Sequence, residues 1–284
     1  MVDRDYKNRF RKQKIFTTYM RKLSLEEIKK IEVNILDYIS DICRKNNLKY
    51  FLAYGTLIGA IRHKGFIPWD DDIDIAMPRE DYEKLLGLLK SQSGTSKYDC
   101  LIPLEDGYYY EFAKVIDTST IVQEQTTITS RCGVWVDIFP LDGLKKEDKL
   151  SHILLLLLNR CRAASVNKSF PHKTNGLAVP LEYVFWKICR LIGYKTFLKS
   201  SIRLSKKYKY DDCGLVGFAS SYPAHNKYML KKWFEKTVAV PFEDKLFDAP
   251  VGFDEYLSTQ YGDYMQLPPE DKRVSHHMQA FIID

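Results

Sequence analysis

The chain has 284 residues, 45% apolar and 28% charged, with 43 Lys/Arg against 37 Asp/Glu and a net charge of +6. That length buries a full core, as one large domain or two lobes, and the composition is that of a soluble globular protein. The longest purely aliphatic run, Ile153 to Leu158, falls far short of the ~18 to 20 residues a membrane-spanning helix needs. Met1 to Phe16 is polar and basic, without the apolar stretch of a secretory signal, so the expected location is cytoplasmic. The six cysteines (43, 100, 132, 161, 189 and 213) form no CxxC and no Cys/His spacing for zinc, and read as reduced thiols.

In chain order, Ser24-Leu25-Glu26-Glu27 is a capping box. Ile28, Ile31, Ile35, Ile39 and Ile42 follow at helical spacing, which predicts a helix ending near Asn46-Asn47. Tyr50 to Tyr54 reads as a buried strand broken at Gly55, with a short helix over Thr56 to Arg62 and a loop from His63 to Trp69. The next strand carries Asp70-Asp71-Asp72-Ile73-Asp74 and stops at Pro78; a helix over Arg79 to Lys90 follows. Strands are expected at 111–116, 121–125 and 134–139, and helices at 149–163, 180–192 and 194–208. Short strands near 237–240 and 245–247 precede a last helix over 253–261.

Charge is unevenly spread. Ser151 to Lys236 holds 16 Lys/Arg and 4 Asp/Glu, a net of +12, which leaves −6 for the rest. The expected organisation is a catalytic core over 1–150, a basic helical region over 151–236 and a C-terminal segment over 237–284 completing the active-site side. Leu181, Val184, Phe185, Ile188, Leu191 and Ile192 make an apolar stripe opposite Lys187 and Arg190. The plain expectation is a helix pair packed on the core through that stripe, with a solvated basic face. The functional alternative has Lys187, Arg190, Lys199, Arg203, Lys206 and Lys207 meeting an anionic membrane at its inner face. Nucleic acid is not an expected partner, because no binding motif accompanies the charge.

Four aspartates within five residues repel one another unless water or a cation screens them. On a strand, Asp72 and Asp74 project from one face while Ile73 and Ile75 point to the other; Asp71 is expected to be a solvent-facing neighbour. Paired carboxylates backed by an apolar face suit Mg²⁺ or Mn²⁺, which prefer oxygen ligands. An EF-hand is ruled out: its sixth and twelfth positions need Gly and Glu, and here they hold Ile75 and Asp81. Asp137 interrupts the apolar strand Val134 to Phe139, where a metal or a strong hydrogen-bond donor is expected beside it.

Strand, Gly55-Thr56, short helix, loop and Asp72-x-Asp74 is the order of parts in nucleotidyltransferases of the polymerase-β type. There the glycine lets the backbone approach phosphate and the helix N-terminus offers free N–H groups. More narrowly, the block from Tyr54 to Asp74 (YGTLIGAIRHKGFIPWDDDID) resembles the signature of the LicD family. Its members are choline-phosphate transferases of bacterial surface polysaccharides, with fukutin-related ribitol-phosphate transferases as relatives. Val136-Asp137-Ile138-Phe139-Pro140-Leu141-Asp142 resembles the family's second motif, and Tyr261 to Met265 with Leu267-Pro268-Pro269 its C-terminal one. Together they span about residues 48 to 280.

The resemblance implies an α+β nucleotidyltransferase fold, a small mixed sheet with flanking helices. It implies phosphocholine transfer from CDP-choline to a sugar hydroxyl of a teichoic acid or lipopolysaccharide, or of a lipid-linked precursor, with release of CMP. Asp70, Asp72, Asp74 and Asp137 are the expected metal ligands, with Asp137 as ligand or as base. Gly55, Thr56, Arg62, His63 and Lys114 are the expected donor contacts; for Arg62 and Lys114 a salt bridge within the fold is the competing reading. CDP-ribitol or CDP-glycerol as donor, a true nucleotidyltransferase, and a non-catalytic glycan- or membrane-binding protein are the alternatives. If the donor carries choline, an aromatic cage is expected; Tyr108, Tyr109, Tyr110 and Trp135 lie near the motifs but read equally as core.

Overall fold

The computed structural model describes residues 20–122, 132–167, 170, 179–219, 228–273 and 279–283. The chain is α+β. Its first strand, β1 (Met20–Lys22), leads into α1 (Leu25–Lys45). The capping box forms: Ser24 Oγ accepts the Glu27 amide at 3.2 Å and Glu27 Oε2 accepts the Ser24 amide at 2.8 Å. Ile28, Ile35, Leu36 and Ile39 are buried, and α1 lies against the sheet strands β5 (Ala113–Asp117) and β7 (Trp135–Leu144).

The main sheet contains β2 (Phe51–Leu52), β3 (Asp74–Pro78), β4 (Tyr98–Leu101), β5 and β7, in the order β2-β3-β7-β5-β4. The β3–β7 pair is parallel and the others are antiparallel. A parallel neighbour needs a long crossover, which here includes α3 (Arg79–Ser91), β4, β5 and β6 (Thr120–Val122). Between β2 and β3 the chain forms α2 (Tyr54–His63). Strand β6 pairs with β12 (Ala280–Ile283), which also pairs with β1, in a separate three-stranded sheet.

The helices α4 (Lys149–Val166), α5 (Val179–Ile192) and α6 (Tyr194–Ser205) pack on one another. The stretch 151–236 is nevertheless not purely helical. Strand β8 (Leu215–Gly217) pairs with the far end of β7, Asp142 opposite Gly217, and carries β9 (Met229–Leu230) with it. A hairpin of β10 (Thr237–Phe242) and β11 (Lys245–Pro250) then packs by β2 and α2, followed by α7 (Phe253–Tyr261). At the hairpin turn Glu243 accepts the Phe66 amide at 3.0 Å and donates its own amide to Lys64 at 2.8 Å. That clamp fixes the loop leading into the aspartates.

Two expectations about the helical region are overturned. The stripe Leu181, Val184, Ile188 and Leu191 faces solvent, while Trp186 and Cys189 of α5 are buried instead. Lys206 pairs with Glu83 of α3, and Lys207 with Asp148 at 2.5 Å, so these two cations are engaged within the fold.

Candidate active site

Three adjacent strands set Asp74, Asp137 and Lys114 side by side, with Asp70 and Asp72 on the segment just before β3. In the parallel β3–β7 pair Asp74 stands opposite Asp137, and in the antiparallel β5–β7 pair Lys114 stands opposite Asp137. Adjacent strands lie about 4.8 Å apart, so Asp74, Asp137 and Lys114 are cross-strand neighbours. Asp70, Asp72 and Asp74 are half-buried, whereas Asp71, Ile73 and Ile75 are buried. The alternation is as expected for 70, 72 and 74, but Asp71 is not in solvent: it is 2% exposed, on the same side as the isoleucines.

Local contacts hold the row in place. Thr56 Oγ1 accepts the Asp74 amide at 2.8 Å, so this buried hydroxyl fixes the start of β3. A Cβ on Gly55 would stand 2.6 Å from Asp70 Oδ2. The glycine therefore makes room for the Asp70 carboxylate, where the sequence reading reserved that space for phosphate. Tyr54, just before it, has φ +46°, a left-handed conformation rare for an aromatic residue. Its amide reaches the Tyr256 hydroxyl of α7 at 3.3 Å.

Lys114 is 4% exposed and ion-paired with Asp137 Oδ1 at 3.0 Å; Asp137 Oδ2 accepts from Trp135 Nε1 at 3.1 Å. The ammonium also lies 3.7 Å from the centre of the Trp135 ring. Arg62 is engaged within the fold: Nη1 donates to the Tyr264 carbonyl at 2.6 Å and Nε to His63 Nε2 at 2.9 Å. It thereby ties α2 to the C-terminal motif. Burial and the neighbouring Arg62 push the His63 ring below its ordinary pKa. Tyr108 and Tyr109 are core residues, 2 and 4% exposed. Lys187, Arg190, Lys199 and Arg203 lie on α5 and α6, elements that carry none of the carboxylates. His276 and His277, which their place after the C-terminal motif makes candidates to approach the site, fall outside the described residues.

Burial raises the Asp74 carboxyl well above the carboxylate range, and Asp72, Asp137 and Asp70 push it further, against Lys114. Two residues the sequence reading passed over belong to the same field. Glu32 of α1 is fully buried, and neither carboxyl oxygen has a hydrogen-bond partner among the described residues. Burial, then Asp72 and Asp71, hold it well above the ordinary range. Its signal was present: with Ile28, Ile35 and Ile39 it occupies the buried side of α1, where a carboxylate has no place in a plain core. The Tyr261 hydroxyl is raised by burial and by Asp74, Asp70 and Asp72. Tyr261 also lines a cavity of about 780 Å³, together with Arg62, Trp69, Tyr264 and Arg273.

The donor set is wholly carboxylate oxygen, the chemistry that Mg²⁺ and Mn²⁺ prefer. Mutual repulsion at Asp74 is what a cation would relieve. Among the described residues no three carboxylates are gathered as a ready set of ligands, and Asp137 is turned to Lys114 and Trp135. By chemistry the carboxylates suit a divalent ion, and Asp74 and Asp137 stand on adjacent strands.

The LicD/FKTN/FKRP nucleotidyltransferase domain model matches residues 47–155, a stretch that contains every carboxylate of the row. The lipopolysaccharide cholinephosphotransferase LicD of Haemophilus influenzae is 34% identical over 275 residues, covering 93% of this chain and 100% of that protein. The chain belongs to the LicD family. It is a transferase of the LicD type. An uncharacterized protein of Rickettsia prowazekii is 40% identical over 68 residues, 21% of this chain and 26% of that protein. Within this LicD chain, the two ends of the Val136 to Asp142 motif divide their work. Asp137 stands opposite Asp74 and pairs with Lys114, while Asp142 is fully buried in a two-pronged pair with Arg79, at 2.7 and 2.8 Å.

Proposed function

We propose that the chain moves phosphocholine from CDP-choline to a sugar hydroxyl of a bacterial surface polysaccharide or its lipid-linked precursor, releasing CMP. The observation that carries this reading is the cross-strand row of Asp74, Asp137 and Lys114 with Asp70 and Asp72 beside it. It occurs in a chain alignable over 93% of its length with a cholinephosphotransferase. The fold underlying it is taken to be that of the nucleotidyltransferases. Asp70, Asp72 and Asp74 would hold Mg²⁺ or Mn²⁺, which when bound supplies charge neutralisation on the pyrophosphate, leaving Asp137 as the base rather than a ligand.

In the reaction the sugar oxygen forms a bond to the phosphorus of phosphocholine as that phosphorus parts from the bridging oxygen of CMP. The hydroxyl proton passes to the Asp137 carboxylate, the group on the row best placed to act as base. Lys114, paired with Asp137 at 3.0 Å, holds that carboxylate in place and offers a positive charge to the phosphoryl oxygens. Arg62 acts at one remove, by holding the Tyr261 to Met265 segment against α2.

The test is CMP release from CDP-choline, CDP-ribitol, CDP-glycerol and CTP in Mg²⁺ or Mn²⁺, beside Asp72→Ala. Release from CDP-choline that the variant lacks supports the reading. Release from CDP-ribitol or CDP-glycerol alone keeps the site and changes the cargo, and pyrophosphate release from CTP makes the chain a true nucleotidyltransferase.

A further inference from the structure

The helical layer is folded with its apolar side outward. On α4, Leu150, Ile153, Leu154 and Leu157 recur at i, i+3, i+4 and i+7 and are 68, 59, 40 and 49% exposed. The buried residues of that helix are Ser151, Leu155, Asn159, Cys161 and Val166. Over its first three turns it packs inward through one leucine beside a serine and an asparagine, and leaves a row of aliphatic side chains in water. On α5, Leu181, Val184, Ile188 and Leu191 follow the same period and are 75, 53, 51 and 88% exposed. The two helices pack on each other, so the stripes lie on neighbouring elements. Exposed apolar stripes on two packed helices mark a docking face.

Cations border it. At 3.6 residues per turn, Lys149 and Arg160 fall beside the α4 stripe and Lys187 beside that of α5, and all three are exposed. Helix α6, packed against both, exposes Lys195, Lys199 and Arg203 at i, i+4 and i+8. We propose that the outward faces of α4 and α5 seat the protein on an anionic lipid bilayer. The aliphatic side chains enter the boundary between headgroups and acyl chains, and the bordering lysines and arginines meet the anionic headgroups.

Charge decides the occupant. A second copy docked face to face would bring two cationic borders together. Residues 1–16 carry six Lys/Arg against two Asp and have the same sign as the border. Among the described residues no helix is long and apolar enough to cross a membrane, so the face lies on the bilayer. Lys206 and Lys207, paired with Glu83 and Asp148, take no part.

The full chain is sedimented with vesicles of phosphatidylcholine alone or mixed with phosphatidylglycerol. The expected result is binding to the mixed vesicles, weaker binding to phosphatidylcholine, and roughly ten-fold or greater loss of partition for Ile153→Gln/Leu157→Gln/Ile188→Gln. Should the triple variant melt lower than the parent, Leu191→Gln, at an 88% exposed position, carries the same comparison. Lys149→Gln/Lys187→Gln/Lys199→Gln should lose the preference for phosphatidylglycerol. No binding to either vesicle, or equal binding by the apolar variants, overturns the proposal. So does a dimer in solution that the apolar variants convert to monomer.

Discussion

Arg79→Met should be among the most destabilising single changes in the protein. Arg79 opens α3 directly after Pro78, where a cation opposes the helix dipole, so its place there depends on Asp142. The pair is bidentate at 2.7 and 2.8 Å, Arg79 is 7% exposed and Asp142 0%, and Arg79 Nη2 also donates to Ser205 of α6 at 3.3 Å. Removing the arginine strands a buried carboxylate, which costs about 3–5 kcal/mol. At ~2–4 °C per kcal/mol for a chain of this size, the melting temperature should fall by roughly 6–20 °C. Burial raises the Asp142 carboxyl, and Arg79 opposes that rise; without the arginine the folded pKa climbs further above the unfolded one. The deficit is therefore full at neutral pH and shrinks as pH falls toward the unfolded carboxylate range. Urea titrations from pH 4 to pH 8 measure it, and Arg79→Met/Asp142→Leu should recover most of the loss. A deficit below ~1 kcal/mol at pH 7, or one that is flat with pH, would refute the assignment of this pair as the tie between α3, β7 and α6.

Glu32→Gln should stabilise the metal-free protein. The Glu32 carboxyl is raised well above its ordinary range by burial and by Asp72 and Asp71. The wild type thus loses stability as pH rises above the unfolded pKa, by at most about 1.4 kcal/mol per pH unit. The variant's advantage should be absent near pH 4 and grow upward; parallel urea profiles would contradict this. Asp74→Asn should abolish CMP release with an unchanged or higher melting temperature, since it removes a charge from a repelling cluster; an active variant would remove Asp74 from the ligand set. Gly55→Ala should lose turnover with little change in melting temperature, because its Cβ would stand 2.6 Å from Asp70 Oδ2 and the carboxylate must swing aside. Full activity in that variant would show that Asp70 need not lie against the α2 backbone.

Much of this was legible because it is local. The capping box at Ser24 set the start of α1, and period-2 alternation put Asp70, Asp72 and Asp74 on one side. The same alternation, carried through, places Asp71 with Ile73 and Ile75, so its burial contradicts only the habit of assigning charges to water. What sequence could not supply was direction and partner. The stripes of α4 and α5 have a phase that periodicity reveals, but periodicity does not say whether that phase points to a core or to solvent. Arg62, Lys206 and Lys207 looked available because Tyr264, Glu83 and Asp148, which engage them, are separated from them by tens to hundreds of residues. The three-residue strand β8 is too short to carry a pattern, and only its pairing with β7 makes it a strand.

The central claim is that the row on β3, β5 and β7 transfers phosphocholine itself. Its most direct test is mass spectrometry of a lipopolysaccharide acceptor after incubation with CDP-choline, a divalent cation and either the wild type or Asp137→Asn. The account predicts an acceptor gaining one phosphocholine per CMP released, with neither change in the variant. An acceptor carrying the cytidylyl group, with phosphocholine set free, would contradict it, as would equal transfer by Asp137→Asn.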